Sequence, residues 1–199
     1  MRTLVRIINE WDAPTMLKVY DRFIDTNTCK DTELPTIAQF VQRIDRYTYG
    51  TGWIMSEIDG ETAGFCLITE NSYEPENLFT AEIQLWVKPE LQRRRVGDSL
   101  YHMMFGIMEL GNKKKVYARI PLPNDAAVAF HEHWGFTVKE KLEKAFEKNG
   151  EKYDVLVMEK NLNPEDPDAD RPIKPMIVKL DKSSQFRKLQ IAAGDLIRE

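Results

Sequence analysis

One stretch constrains the fold more than any other: AEIQLWVKPELQRRRVGDSLYHMMFGIMEL, residues 81–110. It opens as a strand, EIQLWV, and is stopped by Pro89. From Gly97 the apolar residues Leu100, Met103, Met104, Ile107 and Met108 recur at helical spacing. A strand that feeds a helix through a short turn needs a sheet with that helix packed on it. The rest of the chain agrees. RTLVRII reads as a first strand. DAPTMLKVYDRFIDT reads as a helix capped by Asp12, and TNTCKDTELP as a loop. TIAQFVQRIDRYT gives a second helix, with Ile37, Phe40, Val41 and Ile44 on its apolar face. Two strands joined at Asp59-Gly60 form a hairpin, followed by the loop NSYEPEN. After the 97–110 helix, with Gly111 as its expected C-cap, come the strand KKVYARIPLP and a short helix opened by Asn124. FTVKEKLEKAF and YDVLVMEKNL are the last strands, although the charge pattern of the first also suits a helix. The expected order is β-α-α-β-β-β-α-β-α-β-β, an α+β class built on one mixed sheet.

The composition shifts after Leu162. NPEDPDADRPIKP is rich in Pro and Asp and reads as a linker or extended arm. PMIVKL then suggests a strand, and SSQFRKLQIAAGDLIRE an amphipathic helix that packs on the body or on a partner. The expected division is a body over 1–162 and an extension over 163–199.

Charge narrows the function classes. The chain carries 28 Lys and Arg against 32 Asp and Glu, a formal net charge of -4. A general nucleic-acid binder is usually basic, so no nucleic-acid partner is expected. No apolar run reaches membrane-spanning length, and no membrane partner is expected. Cys29 and Cys66 have no metal spacing, so no metal is expected, and Cys66 in AGFCLI reads as a buried thiol. MRTLVRIINEWDAP lacks a signal-peptide pattern, which points to the cytoplasm.

Two segments carry chemistry. The run QRRRVG lies between a strand and a helix start. The first amides of a helix have no intrahelical partner, and the helix dipole adds positive charge there. Such a place suits phosphate, with arginines at its rim. A solvated basic run is the alternative. In NDAAVAFHEHWGF, Asn124, Ala127, His131 and Trp134 fall on one helical face. A lone helical histidine is often structural, and here it also lines one wall of a cleft.

Together these segments resemble the GNAT family of acetyl-CoA-dependent N-acetyltransferases. That family's Q/R-x-x-G-x-G/A motif matches Gln92-Arg93-Arg94-Arg95-Val96-Gly97, with Arg95 in place of the first glycine. Its N-x-x-A-x-x-F/L-Y-E-x-x-G-F signature matches Asn124, Ala127, Phe130, Glu132, Gly135 and Phe136, with His131 in place of tyrosine. PNDAAVAFHEHWGF and GEKYDVLVMEKNL are similar to the phosphinothricin acetyltransferase branch. The resemblance implies a mixed, mostly antiparallel twisted sheet flanked by helices, acetyl-CoA as cosubstrate, and a homodimer. Gln92, Arg93, Arg94, Arg95, Val96, Gly97, Asp98 and Ser99 would surround the pyrophosphate. The backbone of Leu85, Trp86 and Val87 would pair with the pantetheine arm, and Asn124, Ala127 and Phe130 would complete the cofactor site.

Acetyl transfer from a thioester needs a neutral amine. An α-amino group titrates near ~8 and a lysine amine near ~10.4, so a base helps at neutral pH. Glu82 matches the acidic residue that the resemblance implies as base, and burial would raise its pKa. A salt-bridged carboxylate at the strand edge is the alternative. His131 is expected to take or relay the proton, or to protonate the thiolate. The implied substrate is a small amino acid or analogue with a second anionic group, such as phosphinothricin or methionine sulfone. The branch often has an aromatic-Arg pair in its substrate loop. Here Cys29-Lys30-Asp31 stand there, with Lys30 as a possible stand-in. The alternatives are a protein N-terminal or lysine acetyltransferase, and a non-catalytic acetyl-CoA-binding regulatory module.

Overall fold

The computed structural model describes residues 1–48, 52–72 and 74–198. Tyr73 of the NSYEPEN loop lies outside them. The strands are β1 (Thr3–Ile7), β2 (Gly52–Ile58), β3 (Glu61–Thr69), β4 (Thr80–Val87), β5 (Lys115–Pro121), β6 (Thr137–Lys148) and β7 (Glu151–Asn161). The α-helices are α1 (Ala13–Tyr20), α2 (Ile37–Thr48), α3 (Val96–Leu110), α4 (Asp125–His133), α5 (Pro175–Asp181) and α6 (Ser183–Asp195). The strands form one sheet in the order β1-β2-β3-β4-β5-β7-β6. Every neighbouring pair is antiparallel except β4 and β5. This is the α+β mixed sheet expected from the sequence.

The central strands of the sheet are buried on both faces, whereas β6 is largely exposed. Along β3, Phe65 and Leu67 face one way and Cys66 and Ile68 the other, as a period of two requires. Phe65 and Leu67 join Met16, Val19, Tyr20, Phe40 and Ile44 of α1 and α2. Cys66 and Ile68 join Leu100, Met103, Met104 and Ile107 of α3. Burial on both sides explains why AGFCLI reads as a continuous apolar run. Asp59 (φ 52°) and Gly60 (φ 86°) turn the β2–β3 hairpin in left-handed backbone, as Asp-Gly predicts.

Several local expectations change. Asp12 makes no side-chain cap on α1. It accepts from Arg6 at 2.7 and 2.8 Å and from the Asn9 amide at 2.9 Å instead. Ile37 is 53% exposed, while Phe40 and Ile44 are buried. Gly111 is the C-cap of α3, as expected, at φ -87°, and the left-handed turn falls to Asn112. The glycine fits there because a Cβ would lie 2.9 Å from the Ile173 carbonyl.

The C-terminal extension is packed, not free. Residues 162–174 form no helix or strand, yet Glu165 N donates to Glu109 O (3.1 Å) and Ile173 N to Gly111 O (2.8 Å). PMIVKL forms the helix α5 rather than a strand. Pro175 supplies a preset φ and lacks only an amide that would be unpaired in a first turn. Val178, Phe186, Ala193 and Ile197 enter the same core as α3. SSQFRKLQIAAGDLIRE therefore lies on the body, as the first of its two expected places.

β6 is irregular. Its register against β7 slips between Val138 and Glu140 and again between Leu142 and Phe146. Bulges bend a strand, and Lys144 sits in one at φ 49°, its amide on Asp154 Oδ1 at 2.9 Å. The hairpin tip reaches the 24–29 loop. There the buried Lys148 Nζ donates to the carbonyls of Ile24, Thr26 (2.8 Å) and Cys29 (2.9 Å).

Candidate active site

The site starts from a parting in the sheet. β4 and β5 pair only at Thr80↔Lys115, Ala81↔Val116 and Glu82↔Tyr117. Both strands continue, to Val87 and Pro121. From Ile83 to Val87, β4 is paired with β3 on one side and open on the β5 side. An open strand edge presents backbone donors and acceptors to an extended ligand. Leu85, Trp86 and Val87 lie on that edge. The Trp86 ring is turned into the core, where it stacks on Phe65 (5.0 Å) and meets Tyr20 edge-on (5.5 Å).

The QRRRVG turn stands at the end of β4. The first helical bond of α3 runs from Ser99 N to Arg95 O at 2.9 Å. The amides of Val96, Gly97 and Asp98 therefore precede the ladder and suit an anion. Arg93 (φ 64°) and Arg95 (φ 62°) are both left-handed, a conformation that favours glycine. The arginines divide. Arg93 is exposed and makes no ion pair or hydrogen bond within the described residues. Arg94 donates through Nε to the Arg198 carbonyl (2.9 Å), and its own carbonyl accepts from the Arg198 amide (2.9 Å). Arg95 Nε meets Asp98 Oδ2 at 3.4 Å.

Three side chains of the expected phosphate site are engaged or buried. Asp98 Oδ1 accepts from Trp134 Nε1 at 3.0 Å, so its carboxylate ties α3 to α4 and would repel an anion. Ser99 is fully buried, with its hydroxyl pointing into the core. The Val96 side chain is buried as well. Gly97 has a packing reason: a Cβ there would lie 3.1 Å from the Phe130 ring. That contact joins the two sequence motifs. Asn124 caps α4 as expected, its Oδ1 accepting from Ala127 N at 3.2 Å.

His131 is buried in an aromatic cluster with Tyr101, Phe130 and Phe136. Nδ1 lies 2.7 Å from the Ala127 carbonyl, which can only accept, so Nδ1 carries the proton. Nε2 then accepts from the Tyr101 hydroxyl at 2.8 Å. Both ring nitrogens are engaged, and burial pushes the imidazole below its ordinary 6.5. A depressed histidine contributes stability that is full above the unfolded value and is lost as pH falls through the folded one. Urea unfolding of the wild type is expected to weaken from pH 7 to 5 by at most ~1.4 kcal/mol per pH unit more than in His131→Gln. Parallel pH dependences in the two proteins would show that the ring is free to protonate.

Glu82 is 9% exposed, at the last β4–β5 pair. Its Oε2 accepts from Ser72 Oγ at 2.7 Å, and Ser72 Oγ accepts from an Arg119 guanidinium nitrogen at 2.9 Å. It is thus no salt-bridged edge carboxylate, for no ion pair reaches it among the described residues. Beside it, Tyr117 OH donates to Glu74 Oε1 at 2.9 Å, and burial and that bond push the phenol up to about 12. The sequence reading missed Ser72, Glu74, Tyr117 and Arg119. A signal existed for one of them: Arg119 is a charge inside the otherwise apolar VYARI. Lys30, the suggested stand-in for a missing arginine, is exposed in the loop beyond Cys29. Asp31 is engaged by Arg43 (2.5 and 2.8 Å) and Tyr20 (2.6 Å), and the guanidinium holds its carboxyl below the usual range.

Residues 5–157 match the family model described as an acetyltransferase (GNAT) domain. The chain belongs to the GNAT acetyltransferase family. Among curated relatives of this GNAT chain is the phosphinothricin N-acetyltransferase of Streptomyces viridochromogenes. It is 29% identical over 170 residues, 83% of this chain and 90% of that protein. Among solved structures, a phosphinothricin acetyltransferase from Sinorhizobium meliloti in complex with acetyl-CoA superposes with a TM-score of 0.76. It is 18% identical and covers 87% of this chain and 95% of its own. A ribosomal-protein-alanine N-acetyltransferase from Brucella melitensis gives a TM-score of 0.71 at 22% identity, covering 80% and 99%. Both share the GNAT fold. Among the described residues, no cluster of His, Cys, Asp and Glu has the form of a metal site, and no helix is long and apolar enough to cross a membrane.

Proposed function

We propose that this GNAT protein transfers an acetyl group from acetyl-CoA to the primary amine of a small molecule, an amino acid or analogue, by direct attack in a ternary complex. The observation that carries this reading is the position of Glu82. A buried carboxylate stands where the open edge of β4 begins, and a hydroxyl, not a cation, holds it. Acetyl-CoA supplies the activated thioester. The free edge of Ile83–Val87, the unpaired amides at the start of α3, Gln92 and Arg93 fit its arm and pyrophosphate. The amine lies against Glu82, which accepts its proton, and a backbone amide near Trp86 or Val87 faces the developing oxyanion.

His131 takes a positioning role in this reading. With both nitrogens bonded it holds Tyr101 and the 127–131 turn of α4, and so the Phe130 ring against Gly97. The same reading includes a homodimer working in the cytoplasm, in line with the resemblance to the phosphinothricin branch.

Calorimetric titration with acetyl-CoA, then a thiol-release assay on an amine panel, tests the proposal. Tight binding with turnover on small amino acids is expected. Turnover on peptide N-termini or lysines alone would favour a protein acetyltransferase, and binding without turnover a regulatory module. The arginines give a second measurement: Arg93→Ala is expected to weaken acetyl-CoA binding about tenfold and Arg94→Ala less than about threefold. Equal losses would mean that Arg94 leaves the Arg198 carbonyl to hold phosphate.

A further inference from the structure

Arg119 lies two residues beyond the last β4–β5 pair, on the strand face of Glu82 and Tyr117. Its guanidinium makes one hydrogen bond, to Ser72 Oγ at 2.9 Å, and no ion pair within the described residues. Arg119 is neither exposed nor fully buried. A guanidinium carries five donors in a planar fork that matches a carboxylate. The neighbouring acids are otherwise engaged. Glu74 accepts from Tyr117 (2.9 Å) and Asn77 (3.0 Å), and Glu159 is paired with Lys139 (3.0 Å) and Lys115 (3.4 Å). Glu82 is separated from Arg119 by the Ser72 hydroxyl, which donates to it at 2.7 Å. That spacer matters: a direct pair would cancel the charge of both groups.

We infer that Arg119 binds the carboxylate of the acetyl acceptor and selects α-amino acids with a free carboxyl group over amines that lack one. The inference rests on the acetyl-transfer reading above. An α-amino acid separates its amine from its carboxylate by one carbon. This spacing fits a carboxylate base and a guanidinium that are bridged by one hydroxyl. The amine meets Glu82 while the carboxylate takes donors of Arg119. A peptide N-terminus has an amide at that place and offers the fork no charge, so the same residue disfavours protein substrates. The serine fixes the distance between the two groups and leaves donors of the Arg119 fork free. Arg119 is a specificity residue here; Glu82 remains the base.

Matched acceptors test it: glycine, alanine, methionine and methionine sulfone, each as free acid and as carboxamide, with wild type and Arg119→Gln. The wild type is expected to favour at least one acid over its amide by about 10- to 100-fold in kcat/KM. In Arg119→Gln that ratio falls to near one, chiefly through the acid's KM, and an unchanged urea-unfolding midpoint together with unchanged acetyl-CoA affinity reports an intact fold. Arg119→Lys keeps the charge without the fork and is expected to recover part of the preference. Acetylation with no acid preference, or a preference that survives Arg119→Gln, overturns the inference and leaves the acetyltransferase reading standing. No acetylation of any acceptor, acid or amide, overturns that reading and the inference with it.

Discussion

Glu82→Gln is expected to lower turnover by about 10²- to 10⁴-fold and to leave acetyl-CoA affinity unchanged. Glutamine keeps the volume and one carbonyl oxygen, which still accepts from Ser72 Oγ, so the 72–82 contact survives. The backbone of β4 is fixed by β3 and does not depend on the side chain. What disappears is a group able to take a proton from an ammonium. The pH dependence separates this from a steric effect. The neutral fraction of an amine rises with pH up to its own pKa, about 8 for a terminal amine and higher for others. The deficit of the variant should therefore shrink as the pH is raised towards that value. A deficit equal at pH 7 and pH 9, or a parallel loss of acetyl-CoA binding, assigns Glu82 to structure.

Lys148→Met is expected to cost about 3 kcal/mol in urea unfolding and to raise the acceptor's KM. Methionine retains most of the apolar stem and removes only the ammonium. Three carbonyls, those of Ile24, Thr26 and Cys29, then lose their donor at a place where the lysine is 4% exposed. A buried acceptor without a partner loses the solvation it gave up on folding. The 24–29 segment leads into Lys30 and Asp31, the expected substrate loop, so its release should loosen acceptor binding more than donor binding. A loss below about 1 kcal/mol would mean that water replaces the ammonium easily. An unchanged KM would detach the loop from the acceptor.

The strand–turn–helix unit was legible because its signals are local. A change of period marked the end of β4 and the body of α3, and Asn124 announced α4 by its own cap. Asp59-Gly60 named its turn for the same reason. PMIVKL misled because β-branched residues suit a strand, while the contact that settles the matter, Val178 in the α3 core, comes from far along the chain. The site was half legible. Glu82 could be singled out, but its partners lie in the 70–79 loop and on β5, and no spacing connects Ser72 with Arg119. The three arginines looked alike in sequence. They differ because Asp98 holds Arg95, while Arg198, 104 positions after Arg94, occupies Arg94.

That last contact leaves an unusual trace. Arg198 contributes its amide and its carbonyl to Arg94, so any residue except proline serves at position 198. The distance along α6 is another matter. One residue added to or removed from that helix turns everything after it by about 100° and shifts it about 1.5 Å. The pair of backbone bonds to the QRRRVG turn would be lost. Among relatives that keep this tie, the constraint should be visible as a fixed helix length beside a freely drifting residue. Column-by-column conservation would overlook it, and a census of gaps would find it.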